Sequence, residues 1–128
     1  SSSGTHFAIN EASGYAGDMV NFQAAGVTKF KVGGSGLINM ETTVTAGGTT
    51  GNKTINKPTG TVNIAAAGTA VTVTNSLVTA NSIVLAVVRT NDTTALIKNV
   101  VPGAGTFTIN MNAAVTAETS IGFVVINS

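Results

Sequence analysis

Short stretches of alternating apolar and polar residues run the length of this chain, closed every eight to twelve residues by Gly, Pro, Asn-Asp or Gly-Gly. Such alternation fits a strand, whose successive side chains point to opposite faces, and not a helix, whose apolar residues recur about every 3.6 positions. Turn residues at that spacing cut the chain into short strands, as in a sandwich or barrel. Residues 113–120 include helix-friendly Ala and Glu118, but the segment is short and rich in Thr, and it reads as a loop or single turn. The sequence therefore predicts an all-β protein.

The 128 residues suffice for one domain, or a small domain with an extension, but not for two full-sized enzyme domains. Only 9% of residues are charged, against about 25% in an ordinary soluble domain, so uncharged polar residues must supply the wet faces. Thr72, Thr74, Thr108, Asn110 and Asn112 occupy such positions, and these residue types suit strands and turns. The net charge of +1 gives no electrostatic footprint for nucleic acid or an anionic membrane. No apolar run approaches the ~20 residues of a spanning helix, so membrane insertion is not expected. The lack of cysteine excludes disulfides and thiolate zinc sites, and Ser1 to Gly4 reads as linker, without the basic and apolar regions of a signal peptide.

Texture changes near residues 47–57, a Gly, Thr, Asn and Lys segment that reads as a linker. Residues 1–46 before it hold four short rungs, at 7–10, 19–24, 27–32 and 37–40, each closed by a glycine-bearing turn. Phe7, Tyr15, Met19, Phe22, Phe30 and Met40 are their only large aromatic or Met side chains, too few for an independent core. So small a region needs staples or association, and copies of the same chain are the simplest supplier. Residues 58–128 after the linker predict six strands, at 60–66, 70–75, 82–90, 95–101, 106–112 and 120–127. Thr90-Asn91-Asp92-Thr93 and Pro102-Gly103-Ala104-Gly105 read as hairpin turns. Phe107, Ile109 and Met111 alternate with polar residues and give that strand one buried and one wet face. Residues 83–88 and 121–126 are apolar on both faces and call for cover on both sides. A neighbouring subunit could supply the second cover, or these are central strands of a better-covered core.

Catalytic residues are scarce. His6, the only histidine, lies at the fraying end of the chain, a poor base for a triad. Glu11 and Asp18 flank Tyr15 at a spacing that could pair two carboxylates as in glycosidases, or they are solvated turn residues. Glu41, Asp92 and Glu118 are isolated. Gly33-Gly34-Ser35-Gly36 lacks the following Lys-Ser/Thr of a phosphate loop and reads as a turn. Lys29 and Lys31 share a strand face opposite Phe30 and Val32, a solvated face and not a nucleic-acid patch. No catalytic residue, metal ligand or cofactor site is predicted, and the chain does not read as an enzyme. Sugar binding keeps one aromatic candidate, Tyr15 among Glu11, Asp18 and Asn21, unless the ring simply packs over the first turn. The loop residues Asn91, Asp92 and Thr93 are the other receptor-contact candidates.

Residues 20–32, Val-Asn-Phe-Gln-Ala-Ala-Gly-Val-Thr-Lys-Phe-Lys-Val, resemble the short rungs of phage tail-fibre shafts. The phrases Asn56-Lys-Pro58, Val78-Thr-Ala-Asn-Ser82, Arg89-Thr-Asn-Asp92, Thr106-Phe-Thr-Ile109, Ala117-Glu-Thr119 and Val125-Ile-Asn127 are similar to a small β domain that closes many tail fibres and tailspikes. This resemblance implies a homotrimer at the distal tail of a virion, with a short β-prism or β-helix-like stem and an antiparallel β-sandwich head. It implies adhesion to a bacterial surface polysaccharide or outer-membrane protein. Phe22, Phe30, Leu85, Val124 and Ile126 are the candidate trimer-interface residues, and Val124→Asp or Leu85→Asp is expected to abolish assembly and folding together. The family shares no catalytic residues to carry over, and the long β-helices with clustered acids of degrading tailspikes have no counterpart here. A polysaccharide-degrading or deacetylating domain is the alternative reading, and a bacterial adhesin or pilus-like module is a third.

Overall fold

The computed structural model describes residues 9, 10 and 12–127. His6, Phe7 and Glu11 lie outside the described residues, and with them the first half of the 7–10 rung and one member of the Glu11–Asp18 carboxylate pair. The protein is all-β, with three sheets and no helix among the described residues. It divides into two compact units, one up to Glu41 and one from Thr42.

The first unit is one antiparallel meander of β1 (Asp18–Ala24), β2 (Val27–Gly33) and β3 (Ile38–Met40), called sheet I. Ala25 and Gly26 join β1 to β2 with φ of 50° and 77°, the left-handed pair that a two-residue hairpin turn demands. The predicted rungs are thus strands of an open sheet; no β-helix and no closed barrel forms among the described residues. Register places Phe22, Phe30 and Met40 in one cross-strand row and Val20, Val32 and Ile38 in the next. With a side-chain period of two, those six share one face. Asn21, Lys31 and Asn39 form a row on the other, where Lys31 pairs with Asp18 at 3.0 Å and Lys29 with Glu41 at 2.9 Å.

The second unit holds two four-stranded sheets. Sheet II has the order β5 (Lys53–Thr54), β7 (Ala70–Thr74), β10 (Thr106–Met111), β9 (Ile97–Gly103). Sheet III has the order β4 (Thr42–Thr43), β6 (Thr59–Ile64), β11 (Thr119–Ile126), β8 (Ile83–Val88). The six predicted strands all form. Val71, Val73, Phe107, Ile109 and Met111 of sheet II join Val62, Ile64, Ile121 and Phe123 of sheet III in a single core. Phe107 and Phe123 meet edge to face across it, ring centroids 4.9 Å apart. Gly60 makes room for that contact, because a Cβ there would lie 2.9 Å from Phe123 Cζ and 3.0 Å from the Thr43 carbonyl.

Three expectations change. Of the connections between consecutive strands from β4 to β11, only β9 to β10, turning at Ala104-Gly105, stays within one sheet. The 90–93 segment is therefore a crossover from sheet III to sheet II and not a hairpin, since turn chemistry reverses a chain without choosing the next layer. The predicted linker is also structured: Lys53–Thr54 pairs parallel with β7, Ile55 is buried, and Asn52 and Asn56 accept the amides of Thr72 and Ser76. Thr42–Thr43, read as stem, pairs parallel with β6.

Candidate functional site

Two surfaces concentrate what the molecule leaves open. The first is the outer face of sheet III. Inward residues of β11 alternate with Gly122, Val124 and Ile126, and β8 opposes them with Val87, Leu85 and Ile83. Leu85 is 56% exposed, Ile83 and Val87 are also exposed, and Val124 is half-buried. The missing side chain of Gly122 leaves a groove of about 320 Å3 among Thr59, Thr61, Leu85, Val87, Arg89 and Val124. Sheet II differs: apart from the exposed Val101, its outer face carries a polar ladder in which Thr72 meets Thr108 at 2.8 Å and Asn110 donates to Asn99 at 2.8 Å. Residues 83–88 are thus apolar on both sides, with the inner side of β8 packed on the core and its outer side exposed.

β8 is also an edge, and an exposed apolar edge invites pairing with another chain unless something blunts it. The other edges of sheets II and III are blunted: β4 and β5 have two residues each, β5 carries Lys53, and β9 carries Lys98 and Pro102. β8 has six apolar residues and no such guard. Sheet I has a comparable open face. Phe22 and Phe30 stack with centroids 6.1 Å apart, yet Phe22 remains 62% exposed, and no described residue of this unit is buried. Each interface candidate is thus on an open apolar face: Phe22 and Phe30 on sheet I, and Leu85, Val124 and Ile126 on sheet III.

The second surface surrounds Tyr15 on the first unit. A cavity of about 510 Å3 is lined by Tyr15, Asp18, Lys31, Ser35, Leu37 and Asn39, among others. The Tyr15 hydroxyl donates to the Asp18 carbonyl at 3.4 Å; the Asp18 carboxylate accepts from Lys31 and from Asn21, both at 3.0 Å. Of the predicted sugar-binding group, Tyr15, Asp18 and Asn21 do come together.

The 91–93 candidates separate. Asp92 accepts hydrogen bonds from the amides of Thr94, Ala95 and Thr116 and the hydroxyls of Thr94 and Thr116, so its carboxylate pins the crossover loop to the segment before β11. Asn91 and Thr93 stay exposed beside it. Hydrogen bonds led by the Thr116 amide hold the Asp92 carboxyl well below the usual carboxylate range. A pKa lower in the folded than in the unfolded chain stabilises the fold above the unfolded value of about 3.9, and that contribution fades as pH falls toward the folded value. Asp92→Asn should therefore lower Tm by several degrees at neutral pH and flatten the fall in Tm between about pH 5 and pH 2. An equal acid slope in both proteins, measured by circular dichroism, would contradict the clamp.

Sequence reasoning missed Glu118. Its carboxylate accepts from the Gly48 amide at 2.9 and 3.0 Å and from the Asn63 side chain at 2.9 Å, fastening the 46–49 segment beside β6. Among the described residues there is no group of three or more His, Cys, Asp or Glu able to hold a metal, and no helix long and apolar enough to cross a membrane. No family model, curated protein or solved structure matches the chain significantly.

Proposed function

We propose that this chain is a structural and host-receptor-binding tip of a phage tail fibre or tailspike. In this reading it is a homotrimer at the distal tail of the virion, with a β-prism-like stem and a β-sandwich head that adheres to a bacterial surface polysaccharide or protein without chemistry of its own. The observation that carries it is the bare apolar face of sheet I. A single sheet buries its apolar side only against a second layer, and the described residues of the first unit offer none. Three copies turning Val20, Phe22, Phe30, Val32, Ile38 and Met40 inward would make that layer for each other. The unguarded β8 supports the same arrangement, because association covers its row of Ile83, Leu85 and Val87. Scarce charge and faces of Thr and Asn suit a protein that spends its surface on contact.

The test is adsorption. Fluorescently labelled chain, offered to a panel of bacterial strains with defined surface polysaccharides and outer-membrane proteins, should bind saturably to strains sharing one surface component and leave that component intact. Uniform failure to adsorb, or shortening or deacetylation of the polysaccharide, would overturn the reading.

A further inference from the structure

We infer that the Tyr15 cavity is a binding site for an uncharged saccharide unit. The inference deepens the adhesive reading above and rests on it for the source of the sugar. A pyranose presents an apolar C–H face inside a rim of hydroxyls, so its site needs a fixed apolar plane beside polar groups set at known positions. Among the described residues Tyr15 is the one aromatic side chain that lines this cavity, and it is 54% exposed.

The ring is held before any ligand arrives. The Tyr15 amide donates to the Ala12 carbonyl at 3.1 Å, closing the turn that delivers it. Its phenol end lies against Gly17, where a Cβ would come within 2.3 Å of the hydroxyl oxygen, so only glycine permits this placement. Gly17 is in turn tied to the 33–37 turn, its carbonyl accepting from the Gly34 amide at 3.0 Å. With its backbone in the turn and its hydroxyl on the Asp18 carbonyl at 3.4 Å, the ring has less freedom to lose on binding than an untethered side chain.

The polar groups are likewise placed. Lys31 and Asn21 hold the Asp18 carboxylate, the Thr28 hydroxyl donates to Asn21 Oδ1 at 3.1 Å, and the Asn39 side-chain amide donates to the Leu37 carbonyl at 3.3 Å. Among the described lining residues Asp18 and Lys31 cancel in charge, which favours a neutral sugar over an anionic one. Its volume, about 510 Å3, lies within the usual range for small ligands. Open on one side, such a site binds one unit weakly, and several linked copies acting together would raise avidity by ~10²–10⁴-fold.

The chain has one tyrosine and no tryptophan, so intrinsic tyrosine emission reads this ring alone. Titration with methyl glycosides of neutral hexoses, N-acetylhexosamines and glucuronic acid should give a saturable change for a neutral sugar at millimolar concentration and none for the glucuronate. Asp18→Asn should weaken binding at least tenfold, on the order of one lost charge-assisted hydrogen bond, with emission retained. Gly17→Val, which displaces the ring, should abolish it with strand content unchanged by circular dichroism. If wild-type chain adsorbs to cells but no glycoside changes the emission, or if adsorption is lost after protease treatment of the cells and survives periodate, the saccharide site is wrong and the adhesive reading stands. If the chain neither adsorbs nor responds, both fail.

Discussion

Leu85→Asp should yield a folded, all-β monomer. Leu85 projects from the outer face of β8 and is more than half exposed, so a carboxylate there meets water within one chain and leaves the core untouched. In an assembly that covers this face, the same carboxylate is desolvated without a partner, at a cost of about 3–5 kcal/mol for each copy. At ~1.4 kcal/mol per tenfold in affinity, that is two to three decades or more for each site, enough to dissociate the complex at ordinary protein concentrations. Folding and assembly are therefore separable at Leu85, which the sequence alone suggested they were not. Phe22→Asp on sheet I should act alike on assembly. Light scattering beside circular dichroism checks both, and a variant that keeps wild-type mass would remove the face it alters from the interface.

Phe107→Ala should destabilise the second unit severely, by about 3–5 kcal/mol, while leaving a measurable unfolding transition. The side chain is 1% exposed and meets Phe123 edge to face, where the two four-stranded sheets share their core. Truncating a buried Phe costs about 3–5 kcal/mol, including the lost aromatic contact, against a total stability of about 5–15 kcal/mol for a domain. Gly60→Ala approaches the same contact from the other side, pressing a methyl group on the Phe123 ring and the Thr43 carbonyl, with a smaller loss of about 1–3 kcal/mol. Urea titration followed by far-ultraviolet dichroism measures both. A loss below about 1 kcal/mol for Phe107→Ala would mean that the two sheets do not share this core.

The strands were legible because each carries its own evidence: Thr106–Met111 alternates cleanly, and Gly105, with φ of 74°, announces the turn before it. β4 and β5 were not, since two residues have no period and are strands only because β6 and β7 lie alongside. The unguarded edge at β8 was hidden for a related reason. Apolar residues on both faces suggest a central strand, and strand order is a property of the whole chain. Lys29 and Lys31 opposite Phe30 could be read from period alone, whereas their partners Glu41 and Asp18 could not. Clamps formed across long separations, such as Glu118 to Gly48 and Asp92 to Thr116, leave no local trace. Tyr15 was singled out as the one aromatic residue with polar neighbours, but the glycine that fixes its ring is visible only in three dimensions.

The mass of the wild-type chain in solution, by light scattering over a series of dilutions, bears most directly on the account. A stable species near 38 kDa, about three times the 12.7 kDa chain, is the predicted result and would supply the copies that the open faces of sheets I and III call for. A folded 12.7 kDa monomer persisting at high concentration would contradict it, leaving the Phe22 and Leu85 faces in water.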